Sequence, residues 1–499
     1  MFSKILVANR GEIAVRVMRT AREMGIATVA VCSDADRDAL HVLTADEVVF
    51  LGESDPASSY LNIDKIIAAA LKTGAQAIHP GYGFLAENPT FADRVADARL
   101  VFIGPPGNVM AKLGDKTTAR TIMSDSHVPI IPGMTTSEAD PAKLAAIAED
   151  IGYPVLVKAA AGGGGKGMRI VSSPDSLAEA AATCAREALS AFGDGSIYLE
   201  KYLERPRHVE FQILADTHGN VVHLFERECS IQRRHQKIIE ETPSPALNPE
   251  LRAAMGEAAV AAARAAGYVN AGTVEFLLDQ TGRFYFLEVN TRLQVEHPVT
   301  ELTTGMDLVR RQLEIAAGLP LPFTQEQVRP RGHAIECRIY AEDPEQGFMP
   351  APGKILFARV PEGPGVRFDH GIYSGCEVPV HYDPILGKLI VWAEDRPSAC
   401  ARMTRALKES VILGVRTPIE FLLDILRSEA FRSGDIHTWF IDEHMAGWKP
   451  DPSSDGIASL GYVFHDMVSP RMASVAAGGE ADPEVSSPWR TLGAWDLAR

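Results

Sequence analysis

The stretch KAAAGGGGKGMRI, residues 158–170, sets four consecutive glycines between two lysines. Its flanks, PVLVKAA (154–160) and GMRIVSS (167–173), are both strand-like, so the run reads as the tip of a hairpin. A Walker A loop needs a hydroxyl residue after its lysine, and Gly167 follows Lys166 instead. Gly162, Gly164 and Gly167 satisfy the dinucleotide pattern G-x-G-x-x-G. A run this rich in glycine does so almost automatically, and a strand follows where a helix is required. A flexible tip without a ligand is the bland alternative. Against it stand Lys158 at the end of the incoming strand, with Lys166 and Arg169 close by. Backbone N–H groups approach phosphates most closely where no Cβ intrudes, and lysines supply compact positive charge. The expected element is a lid that closes over a triphosphate.

Working outward, KILVA (4–8), TVAVCS (28–33), AQAIHP (75–80) and LVFIGPP (100–106) read as strands, with helical spacing at 13–25 and 61–74. Such alternation predicts a parallel, doubly wound sheet. A second unit starts near Asp115 with a helix around Lys116–Ser126 and a Pro-rich turn at 129–132. Helices at 175–191 and 249–267 accompany the strand IYLEKYL (197–203). The alternating segments HVEFQILAD, VVHLFERECS, GTVEFLLD and RFYFLEVN predict an antiparallel sheet with one wet face. A third unit runs from about Arg331 to about Pro450, and residues 450–488 read as linker or weakly ordered tail. The expected division is 1–114, 115–330 with a lid at about 130–204, 331–449, and a tail at 450–499.

The 499 residues carry a net charge of −16, with 46% hydrophobic and 23% charged residues. Such a surface repels nucleic acid and anionic membrane in bulk, so any anion site must be locally basic. The six cysteines include no CxxC pair, which points to reduced thiols and no structural zinc. No apolar stretch is long enough for a transmembrane helix, and the N-terminal apolar run is too short for a signal peptide. The expectation is a cytoplasmic protein without nucleic-acid or membrane partners.

GTVEF (272–276) and FYFLEVNTRLQVEHP (284–298) look like neighbouring strands joined by a turn at Asp279–Gly282. Glu288 and Asn290 share one face, and Glu275 can face them across the ladder. Two carboxylates among apolar residues are costly unless a cation joins them, and magnesium prefers one or two carboxylates plus phosphates. A solvated strand face is the alternative. Arg292, Gln294 and Glu296 continue the alternation, and His297-Pro298 ends the run. An arginine, an amide and a carboxylate on one face suit a small oxyanion and a base, although a surface salt-bridge ladder has the same spacing. SIQRRHQKIIEE (230–241) gathers Arg233, Arg234, His235 and Lys237 into an anion clamp or a solvated basic turn. His208 starts an alternating strand.

Taken together, ILVANRGEIA, HPGYGFLAEN, GDK (114–116), KAAAGGGGKGMR, EKYLERPRHVEFQ, ERECSIQRRHQK, EVNTRLQVEHPVTE and GHAIECRIYAEDP occur in this order. The chain resembles the biotin carboxylase family of ATP-grasp ligases, found in acyl-CoA and pyruvate carboxylases, from about Lys4 to about Trp448. The resemblance implies an α/β and α+β chain: a doubly wound N-terminal domain, an ATP-grasp domain with a glycine-rich lid, and a C-terminal biotin carboxylase domain. It also implies an ATP-dependent C–N ligase using ATP, Mg2+ or Mn2+, bicarbonate and carrier-borne biotin.

By resemblance, Lys116 and Lys158 would contact ATP phosphates beneath a lid containing Gly163, Gly164, Gly165, Lys166 and Gly167. Glu200, Lys201 and Leu203 would hold adenine, and His208, Gln232 and His235 would complete the nucleotide site. Glu275 and Glu288 would bind the metal with Asn290 beside them. Lys237, Arg292, Gln294 and Val295 would bind bicarbonate. Glu296 would be the general base, and Arg338 would stabilise the biotin enolate. Tyr82 and Glu87 would lie near the biotin end.

The A/V-M-K-M sequence that carries biotin in such enzymes is missing, so biotin is expected on a carrier protein or on a segment beyond Arg499. SPWRTLGAWDLAR resembles the start of the region that follows this unit in long acyl-CoA carboxylase α subunits, so the chain is expected to be part of a longer one. A carboxyltransferase subunit is the further expected partner. Arg19 and Glu23, four apart, fit either a homodimer interface or an ordinary intrahelical pair. Another ATP-grasp ligase and a non-catalytic scaffold are the competing readings. HPGYGFLAEN and Arg338 speak against the first, and the intact lysines, carboxylates and Glu296 against the second.

Overall fold

The apolar run of KILV makes β1 (Lys4–Val7), the middle of a parallel sheet with β2 (Ala27–Ser33), β3 (Glu47–Gly52), β4 (Ala77–His79) and β5 (Val101–Phe102). Their order, β3-β2-β1-β4-β5, reverses beside β1, as the doubly wound reading requires. The loops after β1 and β4 therefore leave the sheet side by side. Asn9 Nδ2 donates to the Pro80 and Tyr82 carbonyls, at 2.7 Å each. Gly81, at φ +64°, leaves no room for more: a Cβ there would lie 2.7 Å from Asn9 Nδ2. This computed structural model describes residues 1–451 except 135, 139 and 160–167. Gly163, Gly164, Gly165, Lys166 and Gly167 lie outside the described residues, as does the tail from 452.

The strands flanking the glycine run behave as expected. β6 (Val155–Ala159) pairs antiparallel with β7 (Met168–Val171), Lys158 opposite Met168, and on its other side with β8 (Ile197–Lys201). Val155, Val157 and Leu199 bury against the helices Pro141–Ile151 and Leu177–Phe192.

The main sheet contains β9 (Arg207–Ala215), β10 (Val221–Arg233), β11 (Gln236–Thr242), β12 (Asn270–Leu278), β13 (Phe284–Asn290) and β14 (His333–Tyr340). Its order is β13-β12-β9-β10-β11-β14, followed by the strands Ile385–Ala393 and Val366–His370. The sheet passes without interruption across the boundary expected near Arg331. The alanine-rich helix Pro249–Ala266 lies close on one face, its small side chains packing against Phe211 and Phe276.

The expected wet face is confined to β13 and the start of β10. β9 and β12 are buried along nearly their whole length, and β14 along all of it. The polar positions of β9 and β12 face one another and an open cleft, and β14 packs against the helix His297–Thr304. A second correction concerns the run to Glu296. The strand stops at Asn290, residues 291–296 form a loop, and His297 opens a helix with Pro298 in its first turn. A proline at that position starts a helix as readily as it stops a strand.

Candidate active site

A cleft of about 1500 Å³ opens between the parallel sheet, the lid strands and the main sheet. Its floor is set by register. Glu275 on β12 stands opposite Glu210 on β9 and Glu288 on β13, which places three carboxylates in a row across adjacent strands. Lys237 reaches into this row. Its Nζ lies 2.5 Å from Glu210, 2.8 Å from Glu275 and 2.7 Å from Glu296.

Arg227, wholly buried, supports the same group from below. It donates to Glu210 at 2.6 Å, Gln212 at 2.7 Å, Thr273 at 3.0 Å, Gln294 at 2.9 Å and Thr300 at 3.1 Å. Arg338 donates through Nε to Glu240 at 2.6 Å and through Nη2 to Glu296 at 3.0 Å.

These contacts decide the charge states. Burial favours the neutral acid at Glu296, but Lys237, then Arg338 and Arg227, outweigh it and hold the carboxyl well below the usual range. Glu275 follows the same balance, with burial opposed by Lys237 and His208. Burial disfavours the charged form of Lys237, yet Glu210, Glu275 and Glu296 outweigh it and hold the ammonium well above its usual range. Glu288 differs. Burial and then the Glu275 charge raise it, with Lys116 only partly opposing. The cleft therefore holds an uncompensated carboxyl at Glu288 beside Glu275, which is what a divalent cation would satisfy.

The loop 291–296 is fastened at both ends. Asn290 Nδ2 and Gln294 Nε2 donate to Glu275 at 2.8 and 2.9 Å. Arg292 donates to Asn290 at 3.0 Å and to Glu87 at 2.8 Å. Lys388, fully buried, donates to the Val295 carbonyl at 2.8 Å and lies 3.2 Å from Glu12.

At the far end, Lys116 begins the helix Lys116–Asp125, and its ammonium is weakened by burial and by Lys158 nearby. Lys158 and Arg120 both pair with Glu200. Lys201 turns its ammonium to the Gly152 and Tyr153 carbonyls at 2.8 and 2.9 Å, so it meets the cleft with its backbone. Leu203 and Gln232 line the cleft, as does His235, exposed at the β10–β11 turn. His208 Nε2 lies 3.0 Å from Glu275.

The structure thus joins Lys237, Glu275, Asn290, Arg292, Gln294, Glu296 and Arg338 into one network, with Val295 in the same loop. Glu87 serves as the anchor of Arg292 and also accepts from the Thr291 N–H at 3.0 Å. Tyr82 donates its hydroxyl to Glu12. Sequence reasoning missed Glu12, Glu210, Arg227, Glu240, Glu336 and Lys388. Glu210 and Arg227 were visible as charged residues alternating with apolar ones in HVEFQ and FEREC, which were read as a wet face, and Glu336 stands in the same pattern in HAIECR.

Comparisons with known proteins agree along the chain. Residues 1–110 match the biotin carboxylase N-terminal domain, 115–324 the ATP-binding domain of the carbamoyl-phosphate synthase L chain, and 336–443 the biotin carboxylase C-terminal domain. A pyruvate carboxylase subunit from Methanothermobacter thermautotrophicus is 57% identical over 447 residues, covering 90% of this chain and 91% of that one. The biotin carboxylase of Nostoc is 55% identical over 442 residues, covering 89% and 99%. The Campylobacter jejuni biotin carboxylase in complex with β-γ-ATP superposes with a TM-score of 0.86 at 46% identity, over 89% of this chain and 99% of that one. The biotin carboxylase domain dimer of Hydrogenobacter thermophilus 2-oxoglutarate carboxylase, solved with MgADP, ADP and bicarbonate, gives 0.86 at 47% identity, over 90% and 99%.

Proposed function

The chain belongs to the biotin carboxylase family of ATP-dependent ligases, and we propose that it carboxylates biotin on a carrier protein or domain, using bicarbonate and ATP. The observation that carries this reading is the cluster Lys237–Glu296–Arg338. It sets an ionised carboxylate between an ammonium and a guanidinium, beside paired carboxylates and in a cleft with lysines at its other end. The solved relative bound to MgADP and bicarbonate supports the same substrates here.

Lys116 and Lys158 neutralise the ATP phosphates. Glu200, Lys201 and Leu203 hold adenine, and His208, Gln232 and His235 complete the nucleotide site. The side chains of Glu200 and Lys201 are already engaged, so both contribute through the backbone. Glu275 and Glu288, with Asn290, would hold a magnesium or manganese ion, which offsets charge on the transferring phosphoryl oxygens.

Arg292, Gln294, Lys237 and the Val295 backbone bind bicarbonate. Glu296 takes its proton, and the freed oxygen attacks the γ-phosphorus as its bond to the β–γ bridging oxygen breaks, so that ADP leaves and carboxyphosphate forms. A carboxyl held this low is a weak base while Lys237 and Arg338 both engage it. An anion that draws Lys237 to itself weakens that hold, so substrate binding itself strengthens the base. Carboxyphosphate breaks to carbon dioxide and phosphate, and the phosphate deprotonates the ureido N–H. Arg338 steadies the enolate while it attacks carbon dioxide, near Tyr82 and Glu87. The lid at about 130–204 closes to exclude water from these intermediates.

The chain performs the first half-reaction of an acyl-CoA carboxylase in the cytoplasm, as a homodimer working with a carboxyltransferase subunit. Pyruvate as final acceptor is the second reading, favoured by the 57% relative. The test is ADP release with ATP, magnesium and bicarbonate, with and without biotin. Stimulation by biotin that vanishes without bicarbonate is expected. ATP cleavage indifferent to biotin would reject the reading.

A further inference from the structure

Glu240 on β11 and Glu336 on β14 stand opposite each other in the ladder, on the two strands that carry Lys237 and Arg338 to the cleft. Both are 0% exposed. Glu240 Oε1 accepts from Arg338 Nε at 2.6 Å. Among the described residues, Glu240 Oε2 and both oxygens of Glu336 have no hydrogen-bond partner. Directly opposed side chains on one face lie within about 5.5 Å at Cβ, so two bare carboxylates buried here would repel at close range.

The cations around them are committed elsewhere. Arg338, on the strand of Glu336, is divided between Glu240 and Glu296. Lys388, opposite Arg338 on the next strand, is held by Glu12 and the Val295 carbonyl. Lys237 on β11 serves Glu210, Glu275 and Glu296. From the helix Gly11–Glu23, Arg16 pairs with Glu301 and Asp307. From the helix His297–Thr304, His297 keeps Nδ1 on the Gln294 carbonyl and is held neutral by burial, with Lys388 adding to the effect. Arg367 is taken by Glu301 and Asp369.

We propose that Glu336 is a positioning residue for Arg338: it stays a neutral carboxylic acid and donates its O–H to Glu240 Oε2, leaving Glu240 as the single negative charge that orients the guanidinium. Burial and then the Glu240 charge push the Glu336 carboxyl well above the usual range, in keeping with this geometry. The Glu240 carboxyl is also raised by burial, but Arg338 pulls against that, so Glu336 is the partner that keeps the proton. With Glu240 locked from behind, Arg338 presents a fixed fork towards the cleft. The kinetic half of this inference rests on the assignment of Arg338 to biotin; the protonation state does not.

Two variants test it on the whole chain. Glu336→Gln keeps a donor of the same shape, whereas Glu336→Met keeps bulk and removes the donor. The infrared difference spectrum of parent minus Glu336→Gln at neutral pH should show the C=O stretch of one un-ionised carboxyl. Carboxylate stretches in its place would overturn the proposal, whatever the enzyme's activity. In biotin-stimulated ADP release, Glu336→Met should raise the KM for biotin roughly tenfold, about 1.4 kcal/mol of lost orientation, and Glu336→Gln should stay within about threefold. Equal losses in the two variants would mean that the charge, not the donor, is needed, and would also overturn it. A parent that shows no biotin stimulation would sink the functional reading and leave the infrared result standing.

Discussion

Replacing Lys237 with Met removes the one ammonium shared by Glu210, Glu275 and Glu296, at 2.5, 2.8 and 2.7 Å. Removing one partner of a buried ion pair costs roughly 3–5 kcal/mol, because the remaining charge stays buried and uncompensated. Three carboxylates would then crowd one point, with Arg227, Arg338 and His208 left against them. The cheapest relief is to retain a proton.

The sign of the pH dependence follows. In the parent, Glu275 and Glu296 are held low, so their stabilisation is present above the unfolded value of about 4.3 and is lost only in stronger acid. Lys237 is held high, so its contribution persists through neutral pH. These groups give no slope between pH 6 and 8. In Lys237→Met, a carboxyl with a raised folded value should make stability fall as pH rises, by about 1.4 kcal/mol per unit for one proton. Urea unfolding of both proteins at several pH values between 6 and 8 measures the difference. A deficit of roughly 3–5 kcal/mol at pH 8 that shrinks towards pH 6 is expected. A deficit under about 1 kcal/mol, or one that ignores pH, would refute the charge accounting.

Further outcomes concern the other parts of the site. Glu296→Gln keeps the size of the proposed base and removes its function: bicarbonate-dependent turnover should fall by at least about a hundredfold while ATP binding, followed by calorimetry, stays intact. Glu288→Gln should raise the magnesium concentration needed for half-maximal ADP release several-fold, since one carboxylate of the pair is gone; an unchanged magnesium titration would move the metal elsewhere. Asp36 is buried and accepts two bonds from Arg10 at 2.7 Å and one from Tyr60 at 2.6 Å, so Asp36→Asn should destabilise the chain by roughly 3 kcal/mol in urea unfolding.

Much of the architecture was legible because period and punctuation agreed. KILV, TVAVCS and AQAIH each gave a strand where the parallel sheet has one, and the glycine run lay between the two strands that flank it. Glu275 and Glu288 were legible as a pair because strand period fixes which residues share a face. Glu210, Arg227, Glu240 and Glu336, on β9, β10, β11 and β14, were not. Alternation of polar with apolar residues says that two faces differ, but not that water covers the polar one. Here the polar face is covered partly by protein and partly lines the cleft, and Arg227 and Lys237 offset the carboxylates that pattern alone would send to solvent. Arg292 and Glu296 belong together for a reason that strand period does not contain. They lie in a loop held by Glu87 and Lys388, residues about 205 and 93 positions away along the chain.

The main sheet crosses the expected domain boundary through the pairing of β11 with β14, Thr242 opposite Ala334 at its far end. During synthesis at about 5–20 residues per second, β11 leaves the ribosome some seconds before the strand that completes its edge. For that interval the nascent chain offers a bare row of N–H and C=O groups, the kind of surface that recruits another strand. A break near residue 331 would make the interval permanent, leaving one fragment with a raw edge at β11 and the other with a raw edge at β14. Residues 331–449 are therefore less a module that could be exchanged than the closing half of a sheet begun before them. Duplication or transfer of this unit between larger enzymes has to carry both halves at once.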